Sequence, residues 1–281
     1  MFPVGHNPHD DWKILFETSS TFHSRIVIRT NRQRVQLVSE RGVSSSMFLH
    51  DGFPTSRIYH YAFIPHIMFN KPKFHTMLML GGGGFCLPTY LNKLKRVSVI
   101  TTVEKDPSLY PLARKFFSAP RQSKFYRVVT KEAVSFLAQD RQCYDIVYID
   151  IGWSKSYKPE NMPLDKHIRS ALSYATRRVR NPEGFFLANF LTPLDKKGEK
   201  WFGSYHALLT NYYKTVFVFA DFPNDLKRDQ DITVVCSNIP MKDLHTIKNK
   251  EILGTLAPSR KNLLGEIPLH LILTQKDNLP D

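Results

Sequence analysis

The chain has 281 residues, of which 42% are hydrophobic and 23% are charged, and its formal net charge is +14. This length suits one large domain with a small additional unit, and the composition is typical of a globular protein. No apolar run approaches the ~20 residues that span a bilayer, and the amino-terminal segment lacks the layout of a secretory signal. Cys86, Cys143 and Cys236 are too scattered to predict a disulfide framework or a zinc site. We therefore expect a cytoplasmic protein that has no metal site and does not associate with membranes.

The positive charge favours anionic partners, nucleic acid among them, but it describes the field around the protein and not a site. The basic residues are spread along the chain, with one small cluster at Arg177, Arg178 and Arg180. No Lys/Arg tract interleaves with aromatic residues as in proteins that bind single strands. A solvated basic surface is therefore favoured over a dedicated nucleic-acid groove.

The first part of the chain contains short β-rich runs. The segments RIVIRT and RVQLVSE, separated by Asn31-Arg32-Gln33, predict a β-hairpin unit. Turn signals and a mostly apolar run follow, and Pro65 predicts an early break or kink there. We assign residues 1–70 to an N-terminal β-hairpin domain with a linker segment.

From Lys73 onward, predicted strands alternate with predicted helices. Strands are expected at FHTMLML, VSVITTVE, FYRVVT, YDIVYID and FFLANFL. This alternation is typical of a parallel sheet that helices cover on both faces. The last two strands, TVFVFA and DITVVCS, are predicted to form an antiparallel hairpin at the sheet edge. The predicted fold class is α/β, with a mostly parallel sheet and an antiparallel last strand in a second domain over residues 71–281.

The first two strands of the predicted sheet end in a glycine turn and in an acidic residue. The first strand ends in the four glycines Gly81–Gly84, and the second ends in Glu104-Lys105-Asp106. In an open α/β sheet, ligands bind beyond the carboxyl ends of the strands. Glu104 lies 23 residues beyond Gly81, a spacing at which an acid can accept both hydroxyls of a ribose. The alternatives are a glycine turn that serves helix–sheet packing and a glutamate in a surface salt bridge. We favour a nucleoside site.

The next strand ends narrow the choice of nucleoside. The dinucleotide fingerprint G-x-G-x-x-G fails, because counting from Gly81 places Cys86 at its last position, and no Gly-Lys-Ser/Thr phosphate loop is present. An adenosyl sulfonium such as S-adenosylmethionine needs close backbone approach, an acid for the ribose, and an acid or amide near the adenine amine. Glu132 suits the last task, and a glutamate at a helix N-terminus is equally expected from the helix dipole.

The chain resembles the spermidine synthase (polyamine aminopropyltransferase) family over residues ~15 to ~190, in segments that include FETSSTFHSRIVIRTNRQRVQLVSERG, MLMLGGGGF, VSVITTVEKDPSLYPLARKFF and YDIVYIDIG. The resemblance implies a β-hairpin domain followed by a Rossmann-like domain of the class I methyltransferase type. It also implies a transferase of polyamine biosynthesis. The implied cofactor is S-adenosylmethionine or its decarboxylated form, which would leave S-adenosylhomocysteine or methylthioadenosine as the product.

The resemblance assigns roles to individual positions. Asp150 matches the acid beside the transferred group and is the expected catalytic residue, and Glu104 matches the acid that binds the ribose. The residues expected to bind the cofactor are Gly81, Gly82, Gly83, Gly84, Glu104, Lys105, Glu132, Ala133 and Asp150. The residues expected to line the substrate pocket are Tyr59, His60, His66, Trp153 and Tyr157.

Several positions depart from the family pattern. The family loop reads Gly-Gly-Gly-Asp-Gly, and its Asp holds the cationic aminopropyl end of the cofactor, whereas this chain has Gly84 and then Phe85. The second catalytic acid of the family is Trp153 here, and Ser45 stands at the position of a family Gln. Because a polyamine carries several positive charges, its pocket should be acidic, with a general base in reach. The resemblance therefore supports the nucleoside site more directly than an ordinary polyamine substrate.

We predict a transferase that moves an aminopropyl or other sulfonium-borne group to an amine acceptor, which Asp150 orients or deprotonates. Two alternatives stay open. One is an S-adenosylmethionine-dependent methyltransferase with RNA among its acceptors, although the Asp/Asn-Pro-Pro-Tyr motif used on base amino groups is absent. The other is a catalytically degenerate binding protein. A small-molecule acceptor is expected, nucleic acid is disfavoured as a partner, and a homodimer is left open.

Overall fold

The computed structural model describes residues 11–40, 42–55, 74–154, 163–193, 196–220 and 227–238. From residue 74 onward, the strands and helices follow the order that the sequence predicts. The strands are β1 (Lys13–Thr18), β2 (Ile26–Thr30), β3 (Arg34–Ser39), β4 (Gly42–Phe48), β5 (Phe74–Leu80), β6 (Val97–Glu104), β7 (Tyr126–Thr130), β8 (Ile146–Ser154), β9 (Phe185–Thr192), β10 (Thr215–Ala220) and β11 (Gln230–Ser237). The helices are α1 (Cys86–Lys93), α2 (Leu109–Phe116), α3 (Ala133–Gln139), α4 (Leu164–Thr176) and α5 (Lys196–Thr210).

The N-terminal strands form a separate four-stranded sheet in the order β1-β2-β3-β4, in which every pair is antiparallel. The predicted hairpin is β2–β3. Its turn is held by the Asn31 side chain, whose Oδ1 accepts hydrogen bonds from the amides of Gln33 and Arg34. Strands β1 and β4 were not predicted. The serine-rich sequence of β4, GVSSSMF, carries little β propensity, and its pairing with β3 supplies the order.

The second sheet has seven strands in the order β10-β11-β9-β8-β5-β6-β7. The pairs from β9 to β7 are parallel, and β11 is antiparallel to both of its neighbours. This arrangement confirms the predicted α/β fold with a mostly parallel sheet and an antiparallel last strand. The predicted antiparallel hairpin of the last two strands is β10–β11, in which β10 forms the sheet edge and β11 lies between β10 and β9.

Each face of the large sheet buries its own apolar cluster. On one face, side chains from α1, α2 and the N-terminal sheet pack together, among them Tyr90, Leu112 and Ile28. On the other face, α3, α4 and α5 pack on the strands through residues such as Leu137 and Ile168. Because the N-terminal sheet contributes to the first cluster, it lies on the same face as α1 and α2. The predicted domain boundary after residue 70 falls outside the described residues and stays a prediction.

Among the described residues, no helix combines the length and apolar character that a membrane span requires.

Candidate active site

The carboxyl ends of β5, β6, β7 and β8 lie side by side, because these four strands are adjacent and parallel in the sheet. Gly81 follows β5, Glu104 ends β6, and Asp150 lies near the end of β8. The amide of Lys131, just after β7, donates to the Glu104 carbonyl oxygen at 3.1 Å. The structure therefore brings together the strand-end residues that the sequence singled out.

The glycine turn is tightly surrounded by atoms of the protein itself. Gly81 has φ of +93°, and a Cβ there would lie 2.0 Å from the backbone oxygen of Asp150. A Cβ at Gly82 would lie 2.6 Å from the ring of Phe85. Gly83 also has positive φ, +50°. Neighbouring segments of the chain thus occupy the space that the missing side chains leave, as the packing alternative predicts. The glycine turn by itself does not establish a ligand site.

Glu104 holds the turn in place through its carboxylate. Its Oε2 accepts hydrogen bonds from the amides of Gly82 at 2.8 Å and Gly83 at 3.3 Å, and its Oε1 accepts from the amide of Asp106 at 2.9 Å. A carboxylate offers about four lone-pair positions, so three amide donors leave room for a further one. Glu104 is half-buried, so part of the residue remains exposed.

A loop of the N-terminal sheet packs over the end of β6. The Ser20 hydroxyl donates to Asp106 Oδ2 and accepts from the amides of Phe22 and His23. The Lys105 ammonium lies 4.6 Å from the centre of the Phe22 ring, a cation–π contact. The β1–β2 loop therefore borders the strand ends, and Lys105, expected in the cofactor site, lies beneath it.

Glu132 is the N-cap of α3. Its two carboxylate oxygens accept hydrogen bonds from the amides of Val134 and Ser135 at 2.9 and 2.8 Å. Glu132 therefore stabilises the N-terminus of α3, as the helix-dipole alternative predicts. Ala133 is the first helical residue, whose N–H has no acceptor within the helix. Glu132 and Ala133 are both half-buried, so each keeps some exposed surface at this strand end.

Asp150 lies in a bulge of β8. Ile149 pairs with Ala188 and Trp153 pairs with Phe190, so three residues of β8 face the single residue Asn189 of β9. Such bulges turn a side chain away from the regular alternation of the strand. The Asn189 side-chain nitrogen donates to Asp150 Oδ1 at 3.3 Å and to Asp231 Oδ1 at 3.0 Å. Burial raises the pKa of the Asp231 carboxyl above its ordinary value.

Sequence reasoning missed Asn189 and Asp231. Both left a signal, because Asn189 interrupts the apolar strand FFLANFL and Asp231 directly precedes the apolar run ITVVCS. A polar side chain in an otherwise apolar strand needs a partner when it is buried. That signal did not show that the two residues meet, because β11 pairs with β9 across a long stretch of chain.

Trp153 does not line the site as expected. Its side chain is fully buried and packs against Phe190, with ring centres 5.5 Å apart, and edge-on against His167. It belongs to the apolar cluster on the face covered by α4 and α5, whereas Tyr148 packs in the cluster on the opposite face. The pocket residues Tyr59, His60, His66 and Tyr157 lie outside the described residues.

Gly84, which stands where the family has an aspartate, contacts β4. The amide of Gly84 donates to Ser45 Oγ at 2.8 Å, and a Cβ at Gly84 would lie 2.7 Å from Ser45 Cβ. Phe85, at the position of the last family glycine, adopts the left-handed conformation with φ of +56°, and its ring is fully buried. The space beside the loop is therefore filled by Ser45 and by the Phe85 ring.

Cys86 is buried, and its burial raises the pKa of the thiol to about 12, so it is a packing residue and not a nucleophile. In the part of the chain that the structure describes, no group of three or more His, Cys, Asp or Glu side chains is arranged to hold a metal ion.

The fold is Rossmann-like, of the class I methyltransferase type, and solved structures show the same architecture. A probable spermidine synthase from Corynebacterium glutamicum matches 95% of this chain and all of its own, with a TM-score of 0.69 and 16% identity. Human Methyltransferase-like protein 13, solved with SAH, matches 75% of this chain and 94% of its own, with a TM-score of 0.51 and 22% identity. A spermidine synthase solved with the transition-state analogue AdoDATO has a TM-score of 0.57 and 17% identity, covering 90% of this chain and 88% of its own.

Curated relatives carry the same resemblance in sequence. The polyamine aminopropyltransferase of Chromobacterium violaceum is 23% identical over 185 residues, which are 66% of this chain and 66% of that protein. The human eEF1A lysine and N-terminal methyltransferase is 25% identical over 121 residues, 41% of this chain and 17% of that protein. The chain thus spans less than two thirds of these relatives, and no protein-family model matches it.

These comparisons confirm the predicted resemblance to the spermidine synthase family and the class I methyltransferase-type fold. Two of the neighbouring structures hold adenosyl compounds, SAH and AdoDATO.

Proposed function

We propose that this protein is a spermidine synthase-like transferase that binds an adenosyl sulfonium at the carboxyl ends of β5 to β8 and moves a sulfonium-borne group to an amine. The observation that carries the proposal is the meeting of three elements at one sheet edge. The Gly81 turn, the Glu104 carboxylate and Asp150 lie together, and Gly81 packs against the backbone of Asp150. The adenosyl compounds in two structural neighbours support the same ligand class.

The residues at this edge fit an adenosyl compound. Glu104 keeps acceptor capacity for ribose hydroxyls beyond its three amide bonds. Glu132 and the amide of Ala133 offer an acceptor and a donor for the edge of the adenine, at the end of β7. Lys105 directly follows Glu104 and contacts Phe22 of the β1–β2 loop. These assignments are part of the proposal and follow the roles that the family resemblance implies.

When bound, an adenosyl sulfonium supplies an electrophilic carbon, whose bond to sulfur breaks as the acceptor nitrogen bonds to it, and a neutral thioether is left. Asp150 is the proposed base, since the acceptor nitrogen must lose a proton to become neutral and the half-buried carboxylate lies at the strand end. Asn189 fixes the orientation of Asp150 through its 3.3 Å hydrogen bond. The proposal includes a small-molecule amine as the acceptor and a reducing, cytoplasmic setting, which the free thiols of the chain support. A homodimer stays a prediction.

A methyltransferase is the second candidate function, and one observation favours it. Gly84 lacks the carboxylate that holds the aminopropyl end in the family, and Ser45 and Phe85 fill the adjoining space. The likeness to a human methyltransferase in sequence and in structure supports the same alternative. Both candidates use the same nucleoside site and the same base, and they differ in the group that is moved.

Calorimetry with S-adenosylmethionine, its decarboxylated form and methylthioadenosine tests the proposal. We expect at least one of the three to bind, and Asp150→Asn to lower the turnover of that donor by about 100-fold or more without a comparable loss of binding. Mass spectrometry of the small molecules that copurify with the protein identifies the donor, because the carboxylated and decarboxylated forms differ in mass. Failure of all three compounds to bind would falsify the proposed function.

A further inference from the structure

A positively charged surface lies along β7, the strand at one end of the large sheet. Residues 107–131, which include α2 and β7, contain no Asp or Glu and six basic residues. These are Arg114, Lys115, Arg121, Lys124, Arg127 and Lys131. We propose that part of this segment binds single-stranded nucleic acid. The residues concerned, named here the β7 edge surface, are Arg121, Lys124, Phe125 and Arg127.

The loop before β7 folds back along this strand. The Gln122 side-chain oxygen accepts a hydrogen bond from the amide of Val128 at 3.1 Å. The amide of Ser123 donates to the Tyr126 carbonyl oxygen at 2.9 Å, and Ser123 Oγ accepts from the amides of Phe125 and Tyr126 at 3.2 Å. These bonds hold the loop beside the start of β7. The fold thus brings together basic residues that are separated from one another in the sequence.

Phe125 is exposed, although a large aromatic side chain is ordinarily buried. It is 50% exposed, whereas the next residue, Tyr126, is 1% exposed and packs in the core. Arg127 is exposed again. The Lys124 ammonium lies 5.0 Å from the centre of the Phe125 ring, a cation–π contact. The β7 edge surface therefore presents an aromatic ring with a positive charge on the residue before it and on Arg127 after it.

The positive charges of this surface are not neutralised by acids of the described residues. Within that part of the chain, the ion pairs of Lys and Arg lie elsewhere, at Arg25, Arg169 and Arg180. Exposed cations that lie close together repel one another. A polyanion relieves this repulsion, and its binding is favoured further because its own condensed counterions are released.

The combination of charge and an exposed ring selects among anionic partners. Proteins that bind single strands join a basic surface, which follows the phosphates, to aromatic side chains on which bases stack. In a duplex the bases stack on one another, so the Phe125 ring would have no free base face to contact. Membrane binding draws on several exposed apolar side chains, and within residues 107–131 Phe125 is the one large apolar residue that is exposed.

Basic residues on an edge strand have a second possible use, because they discourage pairing with another sheet. That use accounts for Arg127 in β7, which is exposed. It does not account for Phe125, since an exposed aromatic ring at an edge favours association instead. Base stacking gives the ring and the charges one common purpose.

The β7 edge surface is separate from the candidate active site. Phe125 precedes β7, whereas the candidate site lies at the carboxyl ends of the strands, where Lys131 and Glu132 follow β7. Nucleic-acid binding here is therefore a second binding function, which goes beyond the proposed transferase activity and does not depend on it.

The test is fluorescence anisotropy of a labelled oligouridylate of about 12 nucleotides, titrated with the full chain at about 50 mM salt. Phe125→Leu keeps an apolar side chain and removes the ring, and it should weaken binding by about fivefold or more. Lys124→Ala combined with Arg127→Ala should weaken it by about tenfold or more. The same pair should lower the slope of log Kd against log salt by about 1.4, because two phosphate contacts are lost.

Matched controls lie outside the β7 edge surface. Tyr212→Leu removes a ring that is 39% exposed beside β10, at the opposite edge of the sheet. Lys200→Ala combined with Lys214→Ala removes two exposed positive charges. Both controls should change the affinity by less than about twofold. Inorganic polyphosphate, which carries the charge without bases, competes for the surface, and Phe125→Leu should change its affinity by less than about twofold.

The substituted side chains are exposed, so urea unfolding of every variant should match that of wild type. If Phe125→Leu lowers stability, Phe125→Met takes its place under the same criteria. Losses below the stated thresholds, equal losses in the control variants, or tighter binding of the duplex with oligoadenylate overturn the inference. An equal loss of polyphosphate and oligouridylate in Phe125→Leu also overturns it, because the ring then stacks on no base. Each of these outcomes leaves the proposed transferase function standing.

Discussion

Ser45 Oγ accepts a hydrogen bond from the amide of Gly84 at 2.8 Å, and a Cβ at position 84 would lie 2.7 Å from Ser45 Cβ. Strand β4 of the N-terminal sheet is therefore in direct contact with the glycine turn of the large sheet. The missing family aspartate at this position is matched by a packing change, since its side chain would occupy space that Ser45 now fills. The two substitutions relative to the family pattern belong together.

This contact predicts that restoring the aspartate alone destabilises the protein. Gly84→Asp should lower the free energy of unfolding by about 2 kcal/mol, because an added side chain must displace Ser45 in a well-packed region. Gly84→Asp combined with Ser45→Gly should recover at least about half of that loss, as expected for neighbouring positions that couple. Urea unfolding of the single and double variants measures the coupling. Ser44→Gly, one position along the strand and exposed, is the control and should recover nothing.

Gly81 should tolerate no side chain at all. A Cβ there would lie 2.0 Å from the Asp150 oxygen, and φ of +93° is strained for any other residue. Gly81→Ala is expected to lower the free energy of unfolding by about 3 kcal/mol or more. At Gly203 in α5, nothing lies within 4 Å of an added Cβ. Gly203→Ala should therefore raise the free energy of unfolding by about 0.5–1 kcal/mol. Thermal and urea unfolding compare the two variants. Equal effects of Gly81→Ala and Gly203→Ala would contradict the claim that Gly81 tolerates no side chain.

Glu104→Gln should disrupt nucleoside binding more than it disrupts folding. The glutamine keeps one acceptor oxygen and presents an NH2 group to backbone amides that now donate to a carboxylate. The affinity for methylthioadenosine is expected to fall by about tenfold or more, measured by calorimetry. The control is Glu183→Gln, which makes the same change at an exposed position. An unchanged affinity in Glu104→Gln would remove this residue from the nucleoside site.

The effect of Asp231→Asn on stability should depend on pH. Burial raises the pKa of this carboxyl in the folded protein above 3.8, its ordinary value, so folding favours the protonated form. The wild type keeps this stability below the ordinary value and loses it as the pH rises through the raised pKa. The variant has no such group, so its stability relative to wild type should increase from pH 4 to pH 8, by about 1.4 kcal/mol for each unit of pKa shift. Urea unfolding at both pH values measures the difference, and a pH-independent difference would show that burial of the charge is not its cause.

The sequence by itself determined the elements of the large sheet and the residues at its strand ends. Short apolar runs such as VSVITTVE and TVFVFA became β6 and β10 with the predicted bounds, because a strand buried on both faces needs continuous apolar character. Glu104 and Asp150 could be placed for the same reason. Since they follow parallel strands, they had to reach the same edge of the sheet.

Only the tertiary structure decided which side chains share that edge. The meeting of Asn189 with Asp231 depends on the insertion of β11 between β9 and β10, a long-range pairing that no local pattern encodes. Trp153 stood three positions after Asp150, and only the course of β8 showed that it enters the opposite core. The packing at Gly84 likewise depends on Ser45, which lies 39 positions earlier in the chain. Packing between two sheets is fixed by contacts in space and not by spacing in the sequence.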